Sequence, residues 1–556
     1  MAVGSARFGP EASAPALGVG PLLRRAVLLV PALLVAAPVL AVFAQSTGGG
    51  DLWRHLAATV LWDYVANSAL LLAGVALVTG AVGTACAWLV AMYDFPGRRV
   101  ASWALLLPLA MPAYVLAYAY TDLLDVTGPV QSWLRAATGL GVGDYVFPEI
   151  RSLGGAVFVL ALALYPYVYA LARAAFVEQS QCALEVSRTL GCSGFGAFHR
   201  VGLPLARPAV AAGLAFVAME TLADFGAVSF FGVPTFTTGI YRAWYALGAP
   251  AAAAQLSSLL VAAVALILLA ERLLRGRASF APRTTHLYRR HRPRLAGWRG
   301  GAAAALCTAP WLLGFLLPAL ALGLMALDRR EAPSLGRLLA LTADTLQVAL
   351  LAAVVIVVVA LAMLVAAREA PGRLARVTLR TATLGYAVPG AVIGVGLLVT
   401  LGTVDHALAG VLGHRGLLFS GTLLALVYGY LVRFFAVAYN PLEAGLARIG
   451  PHLTDAARSL GHGRLATFLR VHLPLLRPHL TSAAILVCVD VMKELPATLV
   501  LRPFDFDTLA VEAYRLATTE RLAGAAVPSL MIVAAGLVPV VMLCRMTERK
   551  LRAHEA

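Results

Sequence analysis

Two short polar segments carry the residues best placed to do work. Glu185-Val186-Ser187-Arg188-Thr189-Leu190-Gly191 is followed, after nine residues, by Val201-Gly202-Leu203-Pro204. Asp455-Ala456-Ala457-Arg458-Ser459-Leu460-Gly461 is followed, again after nine, by Val471-His472-Leu473-Pro474. One constant interval separates Glu185 from Asp455, Gly191 from Gly461 and Pro204 from Pro474, and Arg207-Pro208 and Arg477-Pro478 keep it too. The chemistry is that of docking. Ala183, Val186 and Leu190 fall on one face of a short amphipathic helix, and Glu185 or Asp455 can meet basic groups on a partner. Glycine permits the sharp turn that follows. Leu203-Pro204 and Leu473-Pro474 then open the next helix, where proline suits the first turn. A lone copy would read equally well as an interfacial helix with a solvated carboxylate. Two copies in one register favour docking.

A second set of charges lies inside apolar runs, where ionisable groups are costly and usually functional. Glu220 and Asp224 sit in Met219-Glu220-Thr221-Leu222-Ala223-Asp224-Phe225-Gly226, and Lys493 and Glu494 in Val491-Met492-Lys493-Glu494-Leu495-Pro496-Ala497. Glu220 follows Pro204 by sixteen positions and Glu494 follows Pro474 by twenty. That difference is about one helical turn, which pairs these two carboxylates on equivalent faces at slightly different depths. Two readings stand: a polar lining of a translocation path, or a buried structural pair such as Lys493 or an arginine with Glu494. Whether any of them holds a metal is unknown, because two or three oxygens without placed partners are not a site.

The rest of the chain supplies no catalytic constellation. Its histidines are scattered. No Gly-x-x-x-x-Gly-Lys-Ser/Thr phosphate cradle exists, since Lys493 follows Met492 and Lys550 follows Arg549. The chain is expected to be neither an enzyme nor its own motor, and to need no cofactor. Its six cysteines form no CxxC pair and read as small buried hydrophobes.

These residues must be positioned by membrane helices. Of 556 residues 60% are hydrophobic and 13% charged, with a mean hydropathy of +0.82; a soluble domain carries about 25% charged residues. Apolar stretches long enough to span lie near 26–44, 65–92, 102–122, 153–176, 206–230 and 251–270, then near 302–327, 344–367, 379–401, 417–439, 478–500 and 523–545. The first reads as an uncleaved anchor, longer than a signal-peptide core. The net charge of +16 is not clustered for nucleic acid. It sets orientation instead: segment 271–301 alone holds nine arginines, and Arg368, Arg373 and Arg376 fall in another loop on the same side. The positive-inside bias puts both termini in the cytoplasm. With Pro282, Pro293 and Gly297 and no long apolar run, 271–301 reads as a linker between two halves.

The acidic residue, Gly, nine residues and apolar-x-Leu-Pro pattern resembles the EAA loop of binding-protein-dependent ABC importer permeases. The resemblance covers about 65–270 and 341–545, and Asp455 departs from it by replacing Glu. It implies an all-α polytopic fold of about twelve transmembrane helices in two repeated halves, the type I importer permease fold. The expected organisation is 1–62, an N-terminal cytoplasmic segment, first helix and periplasmic loop; 63–270, a first permease domain; 271–301, the linker; 302–340, a seventh helix and loop; 341–545, a second permease domain; and 546–556, a cytoplasmic tail. The resemblance also implies two copies of an ABC ATPase docked on Glu185, Gly191, Leu203, Pro204, Asp455, Gly461, Leu473 and Pro474. A periplasmic substrate-binding protein, alternating access and a bacterial inner-membrane location complete it. Glu220-Thr221-Leu222-Ala223-Asp224-Phe225-Gly226, Thr235-Phe236-Thr237-Thr238-Gly239 and Lys493-Glu494-Leu495-Pro496-Ala497-Thr498 resemble ferric-iron importer permeases, and the fused double length is typical of them. Fused thiamine permeases share the plan and are the alternative. A secondary transporter in two halves would need no ATPase.

Overall fold

The computed structural model describes residues 20–48, 51–178, 193–275, 292–327, 333–412 and 418–555. Among them regular structure is helical, apart from a single bridge between Asp94 and Arg294. Eleven of the described helices are long and apolar enough to cross a membrane. They are α1 (Pro21–Gly48), α2 (Leu61–Met92), α3 (Leu153–Val177), α4 (Phe198–Ala223), α5 (Pro250–Leu273), α6 (Gly297–Met325), α7 (Leu335–Glu369), α8 (Gly390–Val411), α9 (Leu423–Ala447), α10 (Leu465–Lys493) and α11 (Leu522–Met542). The helices Arg98–Ala110 and Ala113–Thr138 meet at 95° across a short break, and counted as one span they bring the described total to twelve.

Four expected stretches are interrupted rather than continuous. The stretch near 102–122 breaks at Met111-Pro112, and that near 379–401 breaks at Val388-Pro389. Proline offers no amide to the helix and forces the residue before it into extended backbone; Met111 (ψ 110°) and Val388 (ψ 126°) both adopt it. The stretches near 206–230 and 478–500 end earlier than hydropathy suggests, at Ala223 and Lys493, and short helices Gly226–Phe230 and Pro496–Leu501 follow.

The interval that relates the two polar motifs extends well beyond them. It also separates the starts of α3 and α9, at Leu153 and Leu423, and the ends of α4 and α10, at Ala223 and Lys493. Each of the latter two helices contains a π-turn, at Phe198–Gly202 and Phe468–His472. Pro204 and Pro474 cannot donate to the carbonyl four residues earlier, and the Leu203 and Leu473 amides bond instead to Phe198 and Phe468, five back.

Two compact units form. One gathers the described residues up to Arg54 with Ile240–Val261 and Ser334–Val511; the other gathers His55–Gly239, the described part of Ala262–Pro333, and the described part of Glu512 onward. In the first unit, α1 packs on α7, α8 and the helix Arg373–Leu384. A Cβ on Gly396 would lie 2.3 Å from the Pro38 carbonyl oxygen, so this contact needs glycine. In the second unit, α6 packs against α11 and the helix Ala113–Leu124, and Tyr120 donates to the Leu313 carbonyl at 2.7 Å. The first described helix, α1, therefore packs with the second repeat, and α6, which begins within the basic segment 271–301, packs with the first. Small residues bring backbones together throughout, as apolar surroundings require. Gly83 of α2, for example, meets Val168 and the Tyr165 carbonyl of α3.

Candidate coupling segment and helix breaks

The second polar motif forms a helix-turn-helix hung beneath α9. Pro451 starts a helix running to Ser459, where its missing amide costs nothing. Gly461 ends it at φ +79°. Its amide bonds to the Arg458 carbonyl (2.9 Å) and that of His462 to the Ala457 carbonyl (3.1 Å); this is the paired closure that a left-handed glycine permits. Thr454 and Ala457 face inward. The Thr454 hydroxyl lies 3.1 Å from His472 Nε2, both buried, and clamps the short helix to the π-turn. The Arg368 guanidinium, at the end of α7, bonds to the Ile449 carbonyl at 3.0 Å and holds the entrance. Asp455 is solvent-exposed on the outward side of the helix, as are Leu453 (46%) and Leu460 (77%). Exposed leucines beside an accessible carboxylate make a face suited to a partner's groove.

In the first copy, Glu185 and Gly191 lie outside the described residues. Leu203 and Pro204 occupy the same place in α4 that Leu473 and Pro474 occupy in α10, just after the π-turn. Gly202 stands where the second repeat has His472. A Cβ there would come within 2.5 Å of the Trp88 ring, so the first repeat fills the space with tryptophan and the second with histidine.

The repeat interval refines the matching of the charges near the helix breaks. Asp224, not Glu220, is the counterpart of Glu494. The two stand at the interval that relates the repeats, and each is the extended residue that ends a long helix (ψ 133° and 121°). The counterpart of Glu220 at that interval is Asp490, one turn earlier. Glu220 therefore lies one turn short of the position matching Glu494, the offset in depth expected from the spacing, and the residues that match at the repeat interval are Asp224 with Glu494 and Glu220 with Asp490.

Both acids stabilise the break they create. Asp224 Oδ1 accepts from the Ala227 and Val228 amides, each at 3.1 Å, and its carbonyl accepts from the Thr237 hydroxyl at 2.6 Å. Glu494 Oε1 accepts from the Ala497 amide at 3.1 Å, and its carbonyl from the Thr498 hydroxyl at 2.8 Å. Free amides at a helix start need such partners, above all at membrane depth.

Beyond this shared cap the halves diverge. Arg433 of α9 donates from Nε to Glu494 Oε2 at 3.1 Å and from its terminal nitrogen to the Val388 carbonyl at 2.9 Å. One guanidinium thus serves two helix breaks at once. Lys493 pairs with Asp490 at 3.3 Å. The position equivalent to Arg433 is Ala163. Arg433 and Asp490 escaped the sequence reading. A lone arginine within the apolar run 423–447, and the unbroken interval between the repeats, were the signals that point to them.

A family model described as the binding-protein-dependent transport system inner membrane component matches residues 83–278 and again 357–553. The chain belongs to this family. It is a multi-pass membrane permease carrying the family domain twice, and both matches contain the helix break and the polar motif. The Fe(3+)-transport system permease protein FbpB 2 of Haemophilus influenzae is 24% identical over 485 residues, covering 86% of this permease and 89% of the relative. The sulfate permease CysW of Escherichia coli is 27% identical over 221 residues, 38% of this permease and 69% of the relative. The molybdenum permease ModB of Haemophilus influenzae is 32% identical over 142 residues, 25% of this permease and 58% of the relative.

Proposed function

We propose that this permease carries ferric iron, handed over by a soluble periplasmic binding protein, across the bacterial inner membrane. The observation that carries the solute assignment is length-wide similarity. The Fe(3+) permease aligns along 86% of this chain, both repeats included, whereas the sulfate and molybdenum permeases align with 38% and 25%. In this reading 63–270 and 341–545 are the two permease domains, 271–301 is a cytoplasmic linker, and both termini are cytoplasmic. The permease has no ATPase site of its own. Two copies of a separate ABC ATPase dock on the segments around Glu185, Gly191, Leu203 and Pro204 and around Asp455, Gly461, Leu473 and Pro474.

The mechanism follows from how the second segment is held. The helix Pro451–Ser459 is joined to α10 by a glycine closure and by Thr454 on His472. A displacement of that helix by an ATPase is passed to α10 as a push on a stiff rod rather than absorbed by a loop. At its far end α10 breaks at Glu494, which is tied to α9 and to the break at Val388. Closing of the ATPase pair by ATP then moves the breaks that control access, which is alternating access driven from the cytoplasm.

The decisive experiment reconstitutes the permease with its ATPase and binding protein in proteoliposomes and measures ATP-driven uptake of radioactive iron. Leu453→Asp and Leu460→Asp are expected to release the ATPase and abolish uptake. Iron uptake by the permease without ATPase, or normal uptake in both variants, would refute the coupling scheme. Uptake of thiamine or sulfate in place of iron would refute the solute.

A further inference from the structure

We propose that a basic cavity, where the end of α2 meets the stretch entering α6, binds the phosphate of an anionic phospholipid. The site goes beyond the transport reading. It needs neither iron nor an ATPase, only the bilayer that a membrane permease already implies.

Local sequence builds the cavity. α2 ends at Met92. Phe95-Pro96-Gly97-Arg98 then forms a tight turn, with the Arg98 amide on the Phe95 carbonyl at 3.1 Å and Gly97 at φ +79°. Proline at the second position and a left-handed glycine at the third suit such a turn. It opens the short helix Arg98–Ala104 and returns Arg98 to the end of α2. The Arg98 guanidinium donates to the Asp94 carboxylate at 3.2 Å and to the Val90 carbonyl at 3.4 Å. The stretch entering α6 closes the other side. Asp94 exchanges backbone bonds with Pro293 and Leu295, at 3.1 and 2.8 Å, and Arg292 Nε donates to the Ala91 carbonyl at 3.3 Å. Between these walls lies an open cavity of about 520 Å³ whose lining includes Asp94, Arg98, Arg99, Val100 and Arg292.

Charge selects the ligand. Three guanidiniums line the cavity with one carboxylate, and Arg98 already engages that carboxylate. The Arg99 side chain makes no hydrogen bond or ion pair among the described residues. Residues 276–291, which lead into Arg292, contain no Asp or Glu to supply a counter-charge. The second repeat separates scaffold from site. Glu369-Ala370-Pro371-Gly372-Arg373 keeps the acid, the Pro-Gly pair and the arginine, but Leu374 stands where the first repeat has Arg99. Acid and arginine are common to both halves, and Arg99 is an addition.

Two features make a lipid, rather than a soluble anion, the occupant. The cavity lies at the ends of two membrane helices. The short helix beside it also carries exposed Val100 (48%) and Trp103 (38%) one turn apart, and Trp298 at the start of α6 is 79% exposed. Tryptophan belongs at the membrane interface, and basic pockets beside membrane helices attract anionic headgroups. Acyl chains would cover the apolar residues while the phosphate enters the cavity, fastening the entrance of α6 to the end of α2.

The test is binding of defined lipids to the full-length permease in detergent, read by native mass spectrometry and by unfolding temperature. Dioleoylphosphatidylglycerol is expected to bind and raise the unfolding temperature; dioleoylphosphatidylcholine, with no net charge, should do neither. Arg99→Gln should weaken phosphatidylglycerol binding about fivefold, and Arg99→Gln with Arg292→Gln about tenfold or more. Asp94→Asn should tighten it, because Arg98 is then released to the headgroup, and misfolding does not produce such a gain. Arg376→Gln with Arg380→Gln removes two exposed arginines from the second repeat and should leave binding unchanged. Equal binding of the two lipids, unchanged affinity in the Arg99 variants, or an equal loss in the second-repeat variant overturns the site. So does inorganic phosphate alone giving the same stabilisation, which would make the occupant a soluble anion. If the double variant fails to fold, Arg99→Gln decides, since its side chain has no bond to lose among the described residues. None of these readouts involves iron, so their failure leaves the transport reading standing.

Discussion

Arg433 and Glu494 form a buried ion pair, Nε to Oε2 at 3.1 Å, between the middle of one membrane helix and the broken end of another. Both side chains are less than a tenth exposed. Each is costly alone in an apolar interior; together, and bonded to the Val388 carbonyl and the Ala497 amide, they leave no bare charge. The pair holds two helix breaks at a fixed distance, where a conformational cycle needs a rigid part.

Removing one partner strands the other. Arg433→Met is expected to destabilise the permease by about 3–5 kcal/mol. The double variant Arg433→Met with Glu494→Gln should recover much of that loss. Thermal unfolding in detergent reads both, and equal unfolding temperatures for the original and Arg433→Met would exclude the pair as a stabilising element.

Gly461 holds a left-handed conformation at φ +79°. A β-branched residue there costs about 1–2 kcal/mol in backbone strain, more with crowding. Gly461→Val should therefore disorder the end of the helix Pro451–Ser459 and, if that helix docks the ATPase as proposed, lower coupled ATP hydrolysis, while Gly461→Asn, tolerant of this conformation, should retain most of it. The check is iron-stimulated ATPase rate in the reconstituted complex. A normal rate in the valine variant would break the argument.

Thr454→Val keeps shape and deletes the hydroxyl facing His472. A buried polar atom left unpaired costs about 1–3 kcal/mol. The expected outcome is a loosened helix Pro451–Ser459: faster proteolysis near residue 460 and, on the proposed coupling scheme, weaker coupling, with the membrane helices intact. Unchanged cleavage would show that the clamp is dispensable.

Arg151 binds Glu520 at 2.7 Å, joining two loops outside the membrane spans, with Asp125 at 3.9 Å. The Arg151 guanidinium holds the Glu520 carboxyl below the usual glutamate range. A lowered folded-state value means the pair stabilises above the unfolded value of about 4.3 and loses that contribution as pH falls through the folded value. Glu520 is 63% exposed, so the contribution is below about 1 kcal/mol. Glu520→Gln should unfold slightly earlier than the original at pH 7, with the gap closing under acid conditions. A gap that widens on acidification would contradict the sign.

Much of this permease was legible in its residues. Hydropathy located the membrane stretches because the bilayer demands about twenty apolar residues per crossing. The Gly and Pro pattern located the turn at Gly461, because left-handed backbone and a missing amide are local properties of single residues. The repeat was legible because related halves keep their spacing, and that spacing also contained the matching of Asp224 with Glu494 and of Glu220 with Asp490. Other features only the tertiary structure decided. That α1 joins the second repeat and α6 the first depends on small residues meeting far along the chain, such as Gly396 with Pro38. That Glu494 is neutralised depends on Arg433, on a different helix, whose place in the first repeat is taken by Ala163. Periodicity and turn chemistry are written within a short stretch of chain. Which charge meets which partner is set by how helices pack, and no local pattern carries that information.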